Sequence, residues 1–109
     1  MNLTKEEKTA INEWTKELLD KIQGILSEIT KGNKTNVMCP FSYAASRGWI
    51  LGTLYDRYVK EFDKPLEKEV IIYITRILQT YNGKLVDGVE KYLGENCPMI
   101  IRIFSSPES

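Results

Sequence analysis

The chain has 109 residues, of which 42% are hydrophobic and 28% charged, and its 15 basic and 15 acidic side chains cancel. This length predicts one domain, and the composition is typical of a globular protein and excludes a disordered or fibrous one. The charges also balance locally, with six of each sign in residues 1–36. Because a nucleic-acid-binding surface needs a basic stripe, a nucleic-acid partner is not expected.

The most apolar segment, residues 37–55, carries a single charge at Arg47. Its proline, its glycines and its hydroxyl side chains leave it too poor in Leu, Ile and Val for a membrane span, so we interpret it as a buried helix. No basic region followed by an apolar run precedes it, and a secretion signal is therefore not predicted. We expect a cytoplasmic protein without a membrane partner.

The first helix is predicted over residues 5–30. Thr4 and Glu7 have the spacing of a capping box at its start, and Gly32 and Asn33 favour its end. A stripe of apolar residues at steps of three or four indicates one buried face. Its members are Ile11, Trp14, Leu18, Ile22, Ile25 and Ile29.

Three shorter helices are predicted to follow. The second, residues 40–62, starts at Pro40, which fits the first turn of a helix. The third, residues 65–81, uses Asp63 as its N-cap, and the fourth, residues 84–93, begins after Asn82-Gly83.

The segment 98–104 is rich in β-branched residues and is predicted as a short extended C-terminal arm. A single strand needs a partner, which would be the helices or a second copy in a homodimer through the C-terminal segment. The predicted fold class is therefore all-α, a compact bundle of about four helices in a single domain over residues 1–109, with an extended arm.

The sequence contains no histidine, which removes the commonest general base and the commonest zinc ligand. Glu13, Glu17 and Asp20 fall at helical spacing, but Lys16 and Lys21 lie between them, so we interpret them as a solvated charged face and expect no metal. No catalytic residue and no cofactor are predicted, and the chain is not expected to be an enzyme. Cys39 and Cys97 are interpreted as free thiols before proline-initiated turns.

One face of the second helix is predicted to enter the core. Its members, placed at 100° intervals, are Phe41, Ala44, Gly48, Leu51, Gly52, Tyr55, Tyr58, Val59 and Phe62. Each glycine costs roughly 1 kcal/mol against alanine inside a helix, so either close packing of another backbone or a ligand is expected to offset that cost.

The opposite face of this helix is predicted to be polar. It carries Ser42, Ser46, Trp49, Thr53, Asp56 and Lys60. Trp49 is its one large apolar side chain, which is typical of an interface hot spot unless the arm or the first helix covers it. Tyr43, Arg47 and Arg57 together have the chemistry to receive a carboxylate or a phosphate, although a structural ion pair of an arginine with Glu61 or another acid is the simpler alternative.

The third helix has one apolar side chain, Ile72, on its polar side. It marks either the same surface as Trp49 or a second one. The candidate binding residues are therefore Tyr43, Arg47, Trp49, Thr53, Asp56, Arg57 and Ile72.

The leading hypothesis is a non-enzymatic interaction module, acting as a subunit, adaptor or inhibitor. It would bind a protein partner through the second helix and the C-terminal arm. The alternative is a protein that binds or sequesters a small anionic molecule or nucleotide on the glycine-bearing face of that helix.

Overall fold

The computed structural model describes residues 3–32 and 38–94, and of residues 38 and 39 it describes the backbone. Within these ranges the chain forms five helices: α1 Lys5–Asp20, α2 Ile22–Thr30, α3 Met38–Phe62, α4 Lys68–Thr80 and α5 Asn82–Leu93. The all-α class is confirmed. The predicted arm and the homodimer contact through it lie outside the described residues, as does Cys97.

Two of the predicted helix boundaries are wrong, because the structure has a bend of one residue at Lys21 and another at Tyr81. Lys21 (φ −100°, ψ 15°) divides the predicted first helix into α1 and α2, and its amide donates to the carbonyl of Leu18, three residues back, at 3.0 Å. Tyr81 (φ −97°, ψ 15°) separates α4 from α5 in the same way, with its amide bonded to Leu78 at 3.1 Å. Each bend is one tight 3₁₀-type turn, which redirects a helix without ending the hydrogen-bonded chain. Asn82-Gly83 therefore opens α5 and does not separate two helices.

The remaining helix ends follow local chemistry. The predicted capping box is confirmed, since the Glu7 amide donates to Thr4 Oγ1 at 3.0 Å and the Thr4 amide donates to Glu7 Oε1 at 3.2 Å. Lys31 (φ 54°) ends α2 in the left-handed region. Asp63 (φ 52°) follows the last residue of α3 in the same region, so its predicted role as N-cap of the next helix is wrong, and Glu67 precedes α4 instead.

α3 is the central helix, because it makes the most extensive contacts with the other four. α1 and α2 form one bent rod and α4 and α5 another. The bends of these two rods are close together, as Asp20 and Lys84, one on each rod, form an ion pair at 3.5 Å. The core is made of the buried apolar residues Ile11, Trp14, Leu19, Ile22, Ile25, Leu26, Ile50, Leu54, Tyr58, Val70, Ile74, Leu78, Leu85, Val86, Val89 and Leu93.

The predicted division of α3 into two fixed faces is wrong in the N-terminal half. Ser42 and Ser46, placed on the polar side, are fully buried, whereas Phe41, Ala44 and Gly48, placed in the core, are exposed. The buried stripe of α3 repeats every four residues, through Ser42, Ser46, Ile50, Leu54 and Tyr58. Four residues turn the helix by about 400°, so the stripe advances about 40° around the axis at each step. A single face drawn through the whole helix therefore misplaces its first half.

In the C-terminal half of α3 the two predicted faces fit better. Tyr58 is buried and Phe62 half-buried, as predicted, and Asp56 and Lys60 are exposed. Val59, predicted in the core, is exposed.

The two buried serines of α3 differ, because the hydroxyl of Ser42 has no hydrogen-bond partner among the described residues, whereas burial of Ser46 costs little. Ser46 Oγ donates to the carbonyl of Ser42 at 2.7 Å, so its hydroxyl is satisfied within α3 and its small side chain allows close packing. Thr15 and Thr30 on the first rod bond in the same way to Ile11 and Leu26.

Candidate interaction surface

The exposed side of α3 carries large apolar side chains. Phe41 is 50% exposed, Trp49 41% and Val59 39%. Between them lie the exposed small residues Ala44, Gly48 and Gly52. We call these six residues the open face of α3. Among the described residues Trp49 is exposed rather than covered by α1, while the alternative that the arm covers it lies outside the described residues. The polar neighbourhood predicted for it is not found, because its exposed neighbours are apolar or small.

The two glycines of the open face have nothing packed against them. A Cβ atom built on Gly48 or Gly52 finds no described atom of another element within 4 Å. The close backbone packing expected at these glycines is therefore not found among the described residues. Ala44, Gly48 and Gly52 follow one another at steps of four, so they form a shallow row along the helix, with aromatic rings beside it.

The open face is uncharged over most of its length. Phe41, Ala44, Gly48, Trp49 and Gly52 carry no charge. The first exposed ionic group that follows them on α3 is Asp56, which pairs with Lys60 at 3.1 Å, and the next is Arg57, which pairs with Glu17 of α1. A continuous apolar surface on a protein with 28% charged residues is typical of an interaction site. No helix in the described part of the chain is long and apolar enough to span a membrane.

The structure does not bring the predicted anion-binding residues together. The Tyr43 hydroxyl donates to Asn82 Oδ1 at 2.6 Å, and so joins α3 to the start of α5. Arg57 lies 14 positions further along α3, roughly 21 Å away at 1.5 Å per residue. Arg47 and Thr53 are half-buried.

Arg57 is held by α1. Its guanidinium pairs with Glu17 at 3.4 Å and lies over the Trp14 ring at 4.5 Å from the centroid. This is the structural ion pair that the sequence favoured for an arginine with Glu61 or another acid, and the acid is Glu17. The cation–π contact fixes the guanidinium against the surface of α1, which favours a structural role for Arg57.

Ile72 lies on α4 and is 39% exposed, close to the value for Trp49. It lines an open groove with Leu3, Lys8 and Tyr73. Trp49 and Ile72 therefore belong to different helices and to surfaces of different character, one uncharged and one with a lysine at its edge.

The acidic residues of α1 do not form a metal site. Glu17 pairs with Arg57, and Asp20 pairs with Lys84. Among the described residues, no three His, Cys, Asp or Glu side chains lie close enough together to hold a metal ion.

A buried carboxylate is the polar feature that the sequence analysis missed. Glu7 is 2% exposed, and beyond its capping role it accepts hydrogen bonds from the Tyr58 hydroxyl at 3.3 Å and from the Lys64 ammonium. A cavity of about 220 Å³ adjoins this cluster, bounded by Leu3, Pro65 and Val70. The cluster ties the start of α1 to the end of α3 and to the loop that follows it.

The contacts among Glu7, Tyr58 and Lys64 shift the pKa of all three groups. Burial raises the pKa of Glu7, but the hydrogen bonds from Lys64 and from the Thr4 amide outweigh it and hold the pKa below its usual value. Burial, together with the charge of Glu7, raises the pKa of Tyr58. The hydrogen bond to Glu7 raises the pKa of Lys64. The capping-box spacing was the one sequence signal at Glu7, and it does not reveal a partner 57 residues away.

The comparison with known proteins adds nothing to the description of the open face, so we interpret this surface from its geometry alone. The described surface offers an uncharged helical face with a row of small residues that no other described element covers. No protein-family model matches the chain, and no curated protein and no solved structure is similar enough to be matched with it.

Proposed function

We propose that this chain is a non-enzymatic protein-interaction module, a subunit, adaptor or inhibitor, whose partner binds the open face of α3. The observation that carries the proposal is the exposure of Phe41 and Trp49 on the same face as two glycines that no other described element covers. The C-terminal arm, residues 98–104, is a second proposed element of the binding surface and lies outside the described residues.

The energetics favour a partner on this face. A fully buried aromatic side chain covers about 150–250 Å², so Phe41 and Trp49 together leave roughly 200 Å² in water. At about 25 cal/mol per Å², covering that area is worth up to about 5 kcal/mol before the cost of association. Such aromatic anchors are the residues at which truncation weakens protein complexes most.

The shape of the face favours a macromolecule over a small ligand. From Phe41 to Val59 it runs for 18 residues, roughly 27 Å along a convex helix. Small-molecule sites are concave and enclose most of the ligand, whereas an extended helical face fits a second helix or an extended segment. The residues of the small-ligand alternative also lack a common site, since Tyr43 and Arg57 are engaged by Asn82 and Glu17.

The test is a quantitative capture experiment from a native extract with the wild type, Trp49→Ala and Ile72→Ala. Because the two side chains have nearly equal exposure, 41% and 39%, the two variants remove comparable surface from different helices. We expect Trp49→Ala to keep the wild-type circular dichroism and melting temperature and to lose at least tenfold in captured partner, which corresponds to about 1.4 kcal/mol. Ile72→Ala should capture as the wild type does.

Unfolding of Trp49→Ala would place this side chain in the core and end the proposal. Equal capture by the wild type and a folded Trp49→Ala variant would also end it. Loss of capture by Ile72→Ala alone would move the binding surface to the groove between α1 and α4.

A further inference from the structure

We infer that the partner bound by the open face is a second copy of this chain, whose α3 packs antiparallel on the first around Gly48. The inference rests on the proposed function and adds the identity of the partner. It starts from the fact that the open face has both of the surfaces that a helix pair needs, a row of small residues and aromatic side chains to flank it.

The order of residues along α3 is self-complementary when the chain direction is reversed. With Gly48 at the twofold axis, residues whose numbers add to 96 lie opposite each other. Gly48 meets Gly48, Ala44 meets Gly52, and Phe41 meets Tyr55. Small residues therefore face small residues at the centre, where two backbones approach most closely, and rings meet rings toward the ends.

The position of the charged residues on α3 also favours the antiparallel pair over the parallel pair. Asp56 is the first exposed charged residue after the open glycines, and in the antiparallel pair it lies 16 positions from its symmetry mate, roughly 24 Å. That separation exceeds the Debye length of about 8 Å at physiological ionic strength, so the two carboxylates do not repel. A parallel pair would set Asp56 against Asp56. The formal net charge of zero adds no long-range repulsion between copies.

The size of the face sets the expected strength. A strip of roughly 27 Å by 10 Å gives about 300 Å² per copy, or 600 Å² in total, below the 1,200 Å² of a typical stable complex. The dimer is therefore weak and reversible, and it forms only at high protein concentration.

The first experiment is sedimentation equilibrium of the full chain between about 5 and 500 µM, because so small an interface associates only at high protein concentration. The mass should rise from 12.6 kDa toward twice that value. Gly48→Glu should stay monomeric across the range, because it places two carboxylates at the axis. Gly24→Glu, the same change at an exposed glycine of α2 with open space around it, should associate as the wild type does.

The second experiment fixes the orientation and does not depend on the tolerance of α3 for a charge. In a Cys39→Ser, Cys97→Ser background, Gly48→Cys should form an interchain disulfide on mild oxidation, because the two positions meet at the axis. Phe41→Cys should not, because its mate lies 14 positions away, roughly 21 Å. Gly24→Cys is the control for random collision.

A wild-type mass that stays at 12.6 kDa up to the highest concentration overturns the inference. If capture of a different protein then depends on Trp49, the proposed function survives with another partner, and if nothing is captured, both fail. Crosslinking by Phe41→Cys with none by Gly48→Cys would overturn the antiparallel arrangement. A constant mass with slow modification of Gly48→Cys by a thiol reagent would point to residues 95–109 of the same chain as the cover.

Discussion

Glycines at two places in this bundle have opposite surroundings. Gly88 of α5 is buried where this helix crosses α2, and a Cβ atom there would stand 2.7 Å from Cγ2 of Ile22. The carbonyl of Gly88 also accepts a hydrogen bond from Gln23 Nε2 at 3.0 Å. Gly48 of α3 is exposed, with open space around the same position. One glycine permits a contact within the chain, and the other leaves a surface uncovered.

The comparison teaches that a glycine inside a helix has to be judged by what faces it. At Gly88 the backbone entropy that glycine costs is offset by the close crossing of two helices. At Gly48 the described structure holds no such compensation. This is why we assign stability to one position and recognition to the other.

Two ion pairs differ in the same way, since one is buried and the other is exposed. Breaking the buried pair is expected to have the largest effect on the free energy of unfolding. Glu7 and Lys64 pair with the carboxylate buried, whereas Asp56 and Lys60 pair in water, with side chains 64% and 75% exposed. Glu7→Gln should lower the free energy of unfolding by about 3 kcal/mol, because the variant leaves the Lys64 and Tyr58 groups without their charged acceptor. Asp56→Asn should cost less than about 0.5 kcal/mol, and urea denaturation of both variants measures the difference.

The pH dependence of that difference is a direct check on Glu7. Its folded pKa lies below the ordinary value of 4.5, so its contribution to stability is complete above pH 4.5 and is lost as the pH falls below it. The difference in the free energy of unfolding between the wild type and Glu7→Gln should therefore become smaller in acid. A gap that stays constant from neutral pH to well below pH 4.5 would show that the carboxylate charge contributes nothing.

Gly88→Ala is expected to have the second largest effect. The added methyl group overlaps Ile22 near its backbone end, where the side chain has little freedom to move, so the variant should lose about 2 kcal/mol of stability. Gly83→Ala, in the same helix with open space around it, is the matched control. In a double-mutant cycle with Ile22→Ala the two losses should be less than additive, and strict additivity would contradict the proposed overlap.

Gly48→Ala should have the smallest effect, with the opposite sign. In dilute solution it should raise the free energy of unfolding by about 0.5–1 kcal/mol, because alanine has less conformational freedom to lose and meets no neighbour. Gly24→Ala in α2 should raise the free energy of unfolding by a similar amount. If Gly48→Ala destabilises the chain while Gly24→Ala stabilises it, the open face is covered in the monomer, and the contrast between the two glycines fails.

Much of the fold follows from local patterns. The two missed bends have one physical cause, the packing of helices that are distant in the sequence. The capping box at Thr4 and the left-handed end of α2 at Lys31 and Gly32 depend on a few neighbouring residues, and both were predictable. The bends at Lys21 and Tyr81 depend on how the rods pack around α3. No local composition marks them, because a single 3₁₀-type turn needs neither glycine nor proline.

Of the six residues of the open face, the sequence analysis singled out only Trp49 as a binding residue, by its type and position. The structure shows this side chain exposed among the described residues. The glycines beside it were assigned to the core, because a helical wheel assumes that one direction is buried along the whole helix. The advance of about 40° per four residues carries that direction away from Gly48. The link between Glu7 and Lys64 was beyond sequence reasoning, because it joins residues 57 positions apart.

The winding stripe of α3 has an evolutionary consequence. Because Ser42, Ser46, Ile50, Leu54 and Tyr58 hold the bundle together from one side, residues on the other side can change without loss of the fold. Related chains would then be free to diverge at positions 41, 44, 48, 49, 52 and 59 and so acquire different partners. Change at those six positions with constancy in the stripe would show that the fold does not depend on the open face.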